Sequence, residues 1–334
     1  MNPVLYEQEE QNFTSNGIGR PELTSCIVSE RVNDFYTLEA TVVADSKYAD
    51  EVKVRRLLLA TPSDGMRPQP FRIKEVDKNL DGTIQVLANH ISYDLSGYPM
   101  RVYTASTCAG AVAALSSRAI ISSGFSFSTD ITKSAAWVLE GAASVRSCMG
   151  GENGLVSVYG GEWYFDRYEC VLKAQRGADN GVSIRYGKNL TELDAIYDDS
   201  EDYTGALAWY MNNGTYVSSN IQYLDQYAVP QKILIVDHSG DYQSTPSTAD
   251  LNADATADLA NAAGITKSLT VGFIPTIEHV KLGDFVTVIY DKYQIKTKLE
   301  VVQTDYNVLL DRYDSIELGA IRPTLADTIA NLSK

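Results

Sequence analysis

The sequence predicts a β-rich α+β protein: two related antiparallel β-barrels, the second interrupted by an insertion, together with a mixed α/β lobe. Three observations predict it. Short stretches of alternating apolar and polar residues, separated by turn residues, recur along most of the chain. Alanine-rich helical patterns are confined to two places. Strand-like motifs from the start of the chain return later in the same order. The 21 tyrosines, against 8 phenylalanines and 3 tryptophans, suit this class. Tyrosine fits half-covered strands and contact surfaces, where the ring is buried and the hydroxyl stays wet.

The elements follow in order. Cys26–Val32 reads as a strand, Asn33-Asp34 as a turn, and the stretch from Phe35 to Val43 as the returning strand, with period-2 alternation. Glu51–Val54 and Leu57–Ala60 read as the next pair. After a loop rich in proline and glycine, Phe71–Val76 and Thr83–Ala88 flank Asn79-Leu80-Asp81-Gly82. Asp-Gly between alternating strands is the strongest local hairpin signal. A helix is expected from Thr104 to about Ser122, with Cys108, Val112 and Leu115 on one face. Residues 125–165 return to strands and glycine turns. A second helix is expected over Ser247–Ala263, where Pro246 precedes a Ser/Thr cap, Leu251, Ala255 and Leu259 share a face, and Gly264 stops it.

The repeat is read from three matches. The strand at Cys26 pairs with that at Cys170, Glu51-Val-Lys-Val-Arg-Arg-Leu-Leu with His279-Val-Lys-Leu-Gly-Asp-Phe-Val, and Phe71-Arg-Ile-Lys with Tyr293-Gln-Ile-Lys. The second copy holds far more chain between its first two elements, including the second helix. The expected division is residues 1–97 as the first barrel, 161–229 plus 269–322 as the second, 98–160 plus 230–268 as the α/β lobe, and 323–334 as a tail.

Composition narrows function. The 334 residues carry 28 Lys+Arg against 43 Asp+Glu, a net charge of −15. Grip on nucleic acid needs clustered cations, and so does adsorption to anionic membranes, so neither is expected. At 44% hydrophobic and 21% charged residues the chain is too apolar for disorder. The N-terminus has no basic start and no apolar run of signal type, and no segment approaches membrane-spanning length. Cys26, Cys108, Cys148 and Cys170 are far apart with no C-x-x-C, which predicts reduced, buried thiols.

The search for chemistry returns little. His90 and Asp94, four apart on a strand, would stand ~13 Å from each other. Asp237, His238 and Ser239 are sequence neighbours that point to opposite faces, so they form no catalytic triad. No histidines have metal-ligand spacing. The glycines of Cys148–Ser157 match no phosphate-binding loop and are expected in a turn between strands. Trp163 and Trp209 suit the core or a subunit interface, or else a sugar platform. The densest acidic cluster, Asp198-Asp199-Ser200-Glu201-Asp202, lacks calcium-loop spacing and suits a solvated loop or the lining of a passage.

One long-range resemblance unites these readings. Phe13-Thr-Ser-Asn-Gly-Ile-Gly, Leu87-Ala-Asn-His-Ile-Ser-Tyr-Asp-Leu, Gly160-Gly-Glu-Trp-Tyr-Phe-Asp, Arg176-Gly-Ala-Asp-Asn-Gly-Val-Ser-Ile-Arg-Tyr-Gly-Lys-Asn-Leu, Tyr203-Thr-Gly, Leu282-Gly-Asp-Phe-Val and Arg312-Tyr-Asp-Ser-Ile-Glu-Leu-Gly span residues 1–322. Through them the chain resembles the tail hub proteins of long-tailed bacteriophages of Gram-positive hosts. That family is also described as prophage tail endopeptidase, tail-associated lysin or minor structural protein, and is related to baseplate central hubs.

The resemblance implies a structural hub at the distal tip of a phage or prophage tail, with two tube-like barrels per chain and a ring-shaped homotrimer. The implied partners are the distal tail protein or hexameric tail tube, and the tape measure protein. DNA would pass through without specific binding, no membrane is entered, and the particle is assembled in the host cytoplasm. Asp198, Asp199, Glu201 and Asp202 are then the candidate channel-lining residues. Larger family members continue into a wall-degrading domain. Here only Arg322–Lys334 follows the last strand motif, which is too short for one. The expectation is therefore no enzyme, no cofactor and no metal, with a peptidoglycan-degrading enzyme or a host-receptor or carbohydrate-binding tail protein as the alternatives.

Overall fold

The computed structural model describes residues 2–319 except 152, 199–202, 243, 263–265, 274–279 and 294. The chain forms two compact units. Residues 1–194 and 269–334 make the first, and Ala195–Ser268 the second.

The first six strands are β1 (Val4–Tyr6), β2 (Leu23–Arg31), β3 (Tyr36–Val43), β4 (Leu57–Ala60), β5 (Gln69–Lys78) and β6 (Thr83–His90). The hairpins expected from the sequence are present. β2 pairs antiparallel with β3, and Asn33 turns the chain in the left-handed region at φ 58°. β5 pairs antiparallel with β6 around Gly82, while the Asp81 carboxylate accepts from both the amide and the hydroxyl of Thr83. Glu51–Val54 is not a strand. A 3₁₀ turn ends at Glu51, Arg55 sits at φ 76°, and Arg56 ties Glu51 to Glu7. Alternation over four residues was satisfied by this ion-paired loop, and β4 pairs instead with β1 and β5.

Small elements follow: β7 (Pro99–Met100), β8 (Tyr103–Ala105), α1 (Cys108–Ser117), β9 (Ser126–Thr129), β10 (Trp137–Leu139), β11 (Ala143–Ser144), α2 (Val145–Gly150), α3 (Leu155–Tyr159), β12 (Glu162–Asp166) and β13 (Glu169–Lys173). Helix α1 is the first helix read from the sequence. The Thr107 hydroxyl caps it by accepting from the Gly110 amide at 3.2 Å, and Cys108, Val112 and Leu115 are buried. The glycines of residues 148–157 lie between two short helices rather than between strands. Each helix is too brief to show a period; α2 is set by its Ser144 cap and the burial of Val145, Cys148 and Met149.

Then come β14 (Asp179–Arg185) and β15 (Leu190–Asp198), which leads into the second unit. That unit holds β16 (Gly205–Asn212), β17 (Thr215–Ser218), β18 (Gln222–Tyr223), β19 (Ile233–Asp237) and α4 (Thr248–Ala262). β20 (Thr266–Phe273) leads out, followed by β21 (Phe285–Tyr290), β22 (Ile295–Asn307) and β23 (Arg312–Gly319). α4 starts at a capping box in which Ser247 and Asp250 bond reciprocally. Its Leu251, Ala255 and Leu259 pack on Ala206, Ala208 and Tyr210 of β16. The α/β lobe expected from the sequence joined residues 98–160 to 230–268. In the structure α4 covers a sheet of its own, and residues 98–160 belong to the other unit.

A twelve-stranded sheet organises the chain, and its order shows the repeat. The first six strands run β1-β4-β5-β6-β3-β2, and the last six run β14-β21-β22-β23-β20-β15. Each strand of one series has its counterpart in the same place in the other. The registers agree as well: Leu57 faces Arg72 where Phe285 faces Glu300. β5 shifts register between Ile73 and Glu75, and β22 does so at the equivalent Val301 and Gln303. One link differs, since β1 is antiparallel to β4 but β14 is parallel to β21.

This arrangement keeps one of the three sequence matches and corrects the other two. The Glu51 motif and its His279 counterpart run in register into β4 and β21. Phe71-Arg-Ile-Lys lies in β5, but Arg72 is equivalent to Glu300, so its counterpart in β22 begins at Leu299, six residues beyond the matched Tyr293. The counterpart of the Cys26 strand is β15, whereas Cys170 lies in β13, in a small sheet between β12 and β9. Cys-Val-Leu alternation fits any half-buried strand and so misled the alignment. The insertion falls where copy one has only the tight Asn33 turn between β2 and β3. The second unit stands in its place, between β15 and β20. Among the described pairings within the two six-stranded sets, only β14–β21 is parallel; the others are antiparallel.

Candidate functional site

The two halves of the large sheet meet where β2 pairs antiparallel with β22, with Arg31 opposite Gln303 and Ile27 opposite Asn307. Side chains reinforce this seam. The Arg31 guanidinium donates to Gln303 at 2.8 Å and Glu317 at 2.7 Å. The hydroxyls of Ser29 and Ser315 both donate to the Asp305 carboxylate, at 2.7 and 2.6 Å.

Beneath the seam lies a buried ion pair. Glu30 points inward from β2, and Arg176 reaches it from the segment before β14 at 2.8 Å, with side chains 4% and 5% exposed. Arg176 also donates to the Trp163 carbonyl at 3.0 Å, and its amide donates to Glu162 at 2.9 Å. Burial works against its charge, but the Glu30 carboxylate outweighs that and raises its proton affinity. Cavities of about 340 and 320 Å³ are both lined by Glu30 and Arg176. The larger is walled by Tyr36, Trp163 and Phe165.

The next residue, Gly177, meets Gly283 backbone to backbone. A β-carbon on Gly177 would lie 2.1 Å from the Gly283 carbonyl carbon and 2.2 Å from the Asp284 nitrogen. The buried Asp284 carboxylate accepts from the amides of Ala178 and Lys281, both at 2.9 Å. The Arg-Gly-Ala-Asp-Asn-Gly and Leu-Gly-Asp-Phe-Val motifs, over a hundred residues apart in sequence, thus form one staple at the start of the second strand set.

Glu300 in β22 faces the carboxyl of Glu162. Burial and this second carboxyl raise its pKa from 4.5 to about 8. Two carboxylates in contact hold together only by sharing a proton, so they take one up as a unit. A folded-state pKa above the unfolded one gives stability that is complete below pH ~4.5 and is lost as pH rises toward ~8. Glu300→Gln mimics the protonated acid. Its melting temperature, followed by calorimetry from pH 5 to 8.5, is expected to fall less than that of the parent and to exceed it at pH 8.5. Parallel curves would exclude the shared proton.

The sequence-predicted sites scatter. Asp199, Glu201 and Asp202 lie outside the described residues, and of Asp198 only its backbone at the end of β15 is described. His90 is buried, stacks on Tyr36 at 4.4 Å, and its charge is strongly disfavoured by burial and by Arg146. Asp94 pairs instead with Arg72 at 2.8 Å. His238 bridges Asp241 at 2.7 Å and Asp258 of α4 at 2.9 Å; burial opposes its charge, but those carboxylates raise its pKa. Trp163 is buried and donates to the Met149 carbonyl at 3.1 Å, while Trp209 is half-buried. All four cysteines are free and buried. Among the described residues, no group of three or more His, Cys, Asp or Glu is placed to hold a metal ion, and no helix is long and apolar enough to cross a membrane. The Glu30–Arg176 pair escaped sequence reading, since nothing local links residues 146 positions apart.

The fold is that of prophage tail proteins. Three solved structures share it over nearly their whole length: prophage tail protein gp18 from Listeria monocytogenes EGD-e (16% identity, TM-score 0.63, covering 100% of this chain and 98% of that one), the tail protein from Neisseria meningitidis MC58 (12%, 0.65, 96% and 97%), and the 43 kDa tail protein of prophage MuSo2 from Shewanella oneidensis (11%, 0.64, 97% and 99%). In sequence, residues 178–329 match the family described as Prophage endopeptidase tail, so the tail-protein family that the motifs resemble is the one recovered. That stretch covers the whole second strand set and the second unit. No curated protein matches the sequence. The hosts of these relatives do not restrict the fold to phages of Gram-positive bacteria.

Proposed function

We propose that the chain is a structural tail hub: a trimeric ring at the distal tip of a phage or prophage tail, joining the hexameric tube or distal tail protein to the tip around the DNA path. The observation that carries this reading is the strand order repeated in register within one chain. A sixfold tube meets a threefold ring without mismatch only if each subunit offers two similar faces, and two equivalent strand sets would supply them. Each set would curl into a tube-like barrel. The second unit, inserted at the hairpin that is tight in copy one, distinguishes the two barrels.

The role is non-enzymatic in this reading: the buried polar network joins strands, and the His238 cluster ties α4 to its sheet. The tape measure protein would contact the ring from the tube side. DNA would pass a wall that does not bind it, since cationic walls would hold phosphate. The net charge of −15 suits such a wall, with Asp198, Asp199, Glu201 and Asp202 as its lining. Light scattering after size exclusion tests the assembly. The expected mass is three times 36.6 kDa, with rings visible by electron microscopy. A monomer across micromolar concentrations, also in the presence of the distal tail protein, would overturn the reading.

A further inference from the structure

The repeat also defines how one copy would meet the next. Within the chain, β2, the last strand of set one, pairs with the later half of β22, the third strand of set two. The counterpart of β22 is β5, and the counterpart of β2 is β15. β15 ends the sheet, and apart from a single bridge between Leu190 and Tyr186 no described strand pairs its far edge. β5 is covered by β4 only as far as Arg72, with the Arg55–Arg56 backbone bonding Ile73, and beyond that no described strand pairs it on the edge opposite β6. One strand and one edge therefore remain, and they are the two that correspond to the internal seam.

We infer that β15 of one copy pairs antiparallel with the Glu75–Lys78 edge of β5, continued through Asn79 and Leu80 just beyond it, in a second copy, repeating between chains the β2–β22 seam seen within the chain. The inference rests on the hub reading and adds the contact that closes its ring.

Exposure supports it. In β22 the residues lying between β2 and β23 include buried Val302, Thr304 and Tyr306, and Val308 just beyond is buried with its amide donating to the Cys26 carbonyl at 2.9 Å. Carried across by the common register, these positions are Lys74, Val76, Lys78 and Leu80. Lys74 and Lys78 are exposed, Val76 is half-buried, and Leu80 is the most exposed large apolar side chain among those described. The difference is the missing strand. Hydrogen-bond phase agrees as well. Asn79 donates its amide inward to the Thr83 carbonyl at 2.9 Å, so the Lys78 amide faces the open edge, as an incoming strand requires. The contact is heterologous, the kind that closes into a ring when its rotation allows.

Aligning the equal-length strands β2 and β15 places Asp194 opposite Asn79, equivalent to Ile27 opposite Asn307. Asn79→Cys/Asp194→Cys is expected to give intermolecular disulfides up to a covalent trimer on oxidation, against a background of buried native cysteines. Asn79→Cys/Glu192→Cys, out of register, should cross-link at least fivefold less. Leu80→Asp should shift the mass to monomer while leaving the melting temperature of the monomer unchanged, because the side chain touches solvent. A wild-type trimer that neither cross-links nor responds to Leu80→Asp would overturn this contact and leave the hub standing. A wild-type chain that never associates would overturn both.

Discussion

Replacing Arg176 by methionine is expected to cost about 3–5 kcal/mol of folding free energy, the usual penalty when one partner of a buried pair is removed. The loss comes from what stays behind. Glu30 would be left beside Tyr36, Trp163 and Phe165 without its ion-pair partner, and the Trp163 carbonyl would lose a donor. The double variant Arg176→Met/Glu30→Leu should recover most of that loss, because a buried pair replaced by apolar groups of similar volume is often neutral. Denaturant unfolding read by tryptophan fluorescence checks both. If the double variant is no more stable than the single one, Arg176 acts through packing and not through Glu30.

Local signals in the sequence carried far, and their reach explains where they stopped. The β2–β3 and β5–β6 hairpins were legible because alternation and turn chemistry lie within about twenty residues. Both long helices were legible from a cap, an apolar face and a stop. The repeat was legible at β4, where the Glu51 and His279 motifs align in true register, while its first and third elements were misplaced because Cys26 and Cys170, and Phe71-Arg-Ile-Lys and Tyr293-Gln-Ile-Lys, share only a short strand pattern. The strand at 190–198 hid its kinship with β2, since the second unit interrupts the hairpin that would have marked it. Glu51–Val54 failed for the opposite reason: its alternation was real, but Arg56 and two glutamates fix a turn there.

The candidate site was the least legible part. Its pieces, Glu30, Glu162, Arg176, Asp284 and Glu300, come from five separated stretches and meet only once the sheet has closed. Three of those stretches, around Glu162, Arg176 and Asp284, lie in the motifs that carry the resemblance, and the fold shows why the long Arg176 run is constrained. Arg176 and Gly177 serve the seam, whereas Asp179 and the residues after it begin the second strand set. A buried charged side chain beside a glycine packed backbone to backbone, both tied to distant strands, leaves little freedom to either neighbour.

The second large effect belongs to that glycine. Gly177→Ala is expected to destabilise the first unit by about 3 kcal/mol, at the upper end of the usual cost of overpacking. The methyl group would sit 2.1 Å from the Gly283 carbonyl carbon, and backbone cannot swing aside as a flexible side chain can. Relief would require Gly283, at φ 89°, to move, and with it Asp284 and the two amides it holds. Gly181→Ala supplies the contrast. Its φ is 71°, but nothing lies within 4 Å of the added carbon, so it should cost only the ~1–2 kcal/mol of a left-handed alanine. Equal losses at the two sites would mean that backbone conformation, not close approach, governs the motif. A clear excess at Gly177, accompanied by faster hydrogen exchange at Ala178 and Phe285, whose amides bond across this contact, would locate the strain where the two glycines touch.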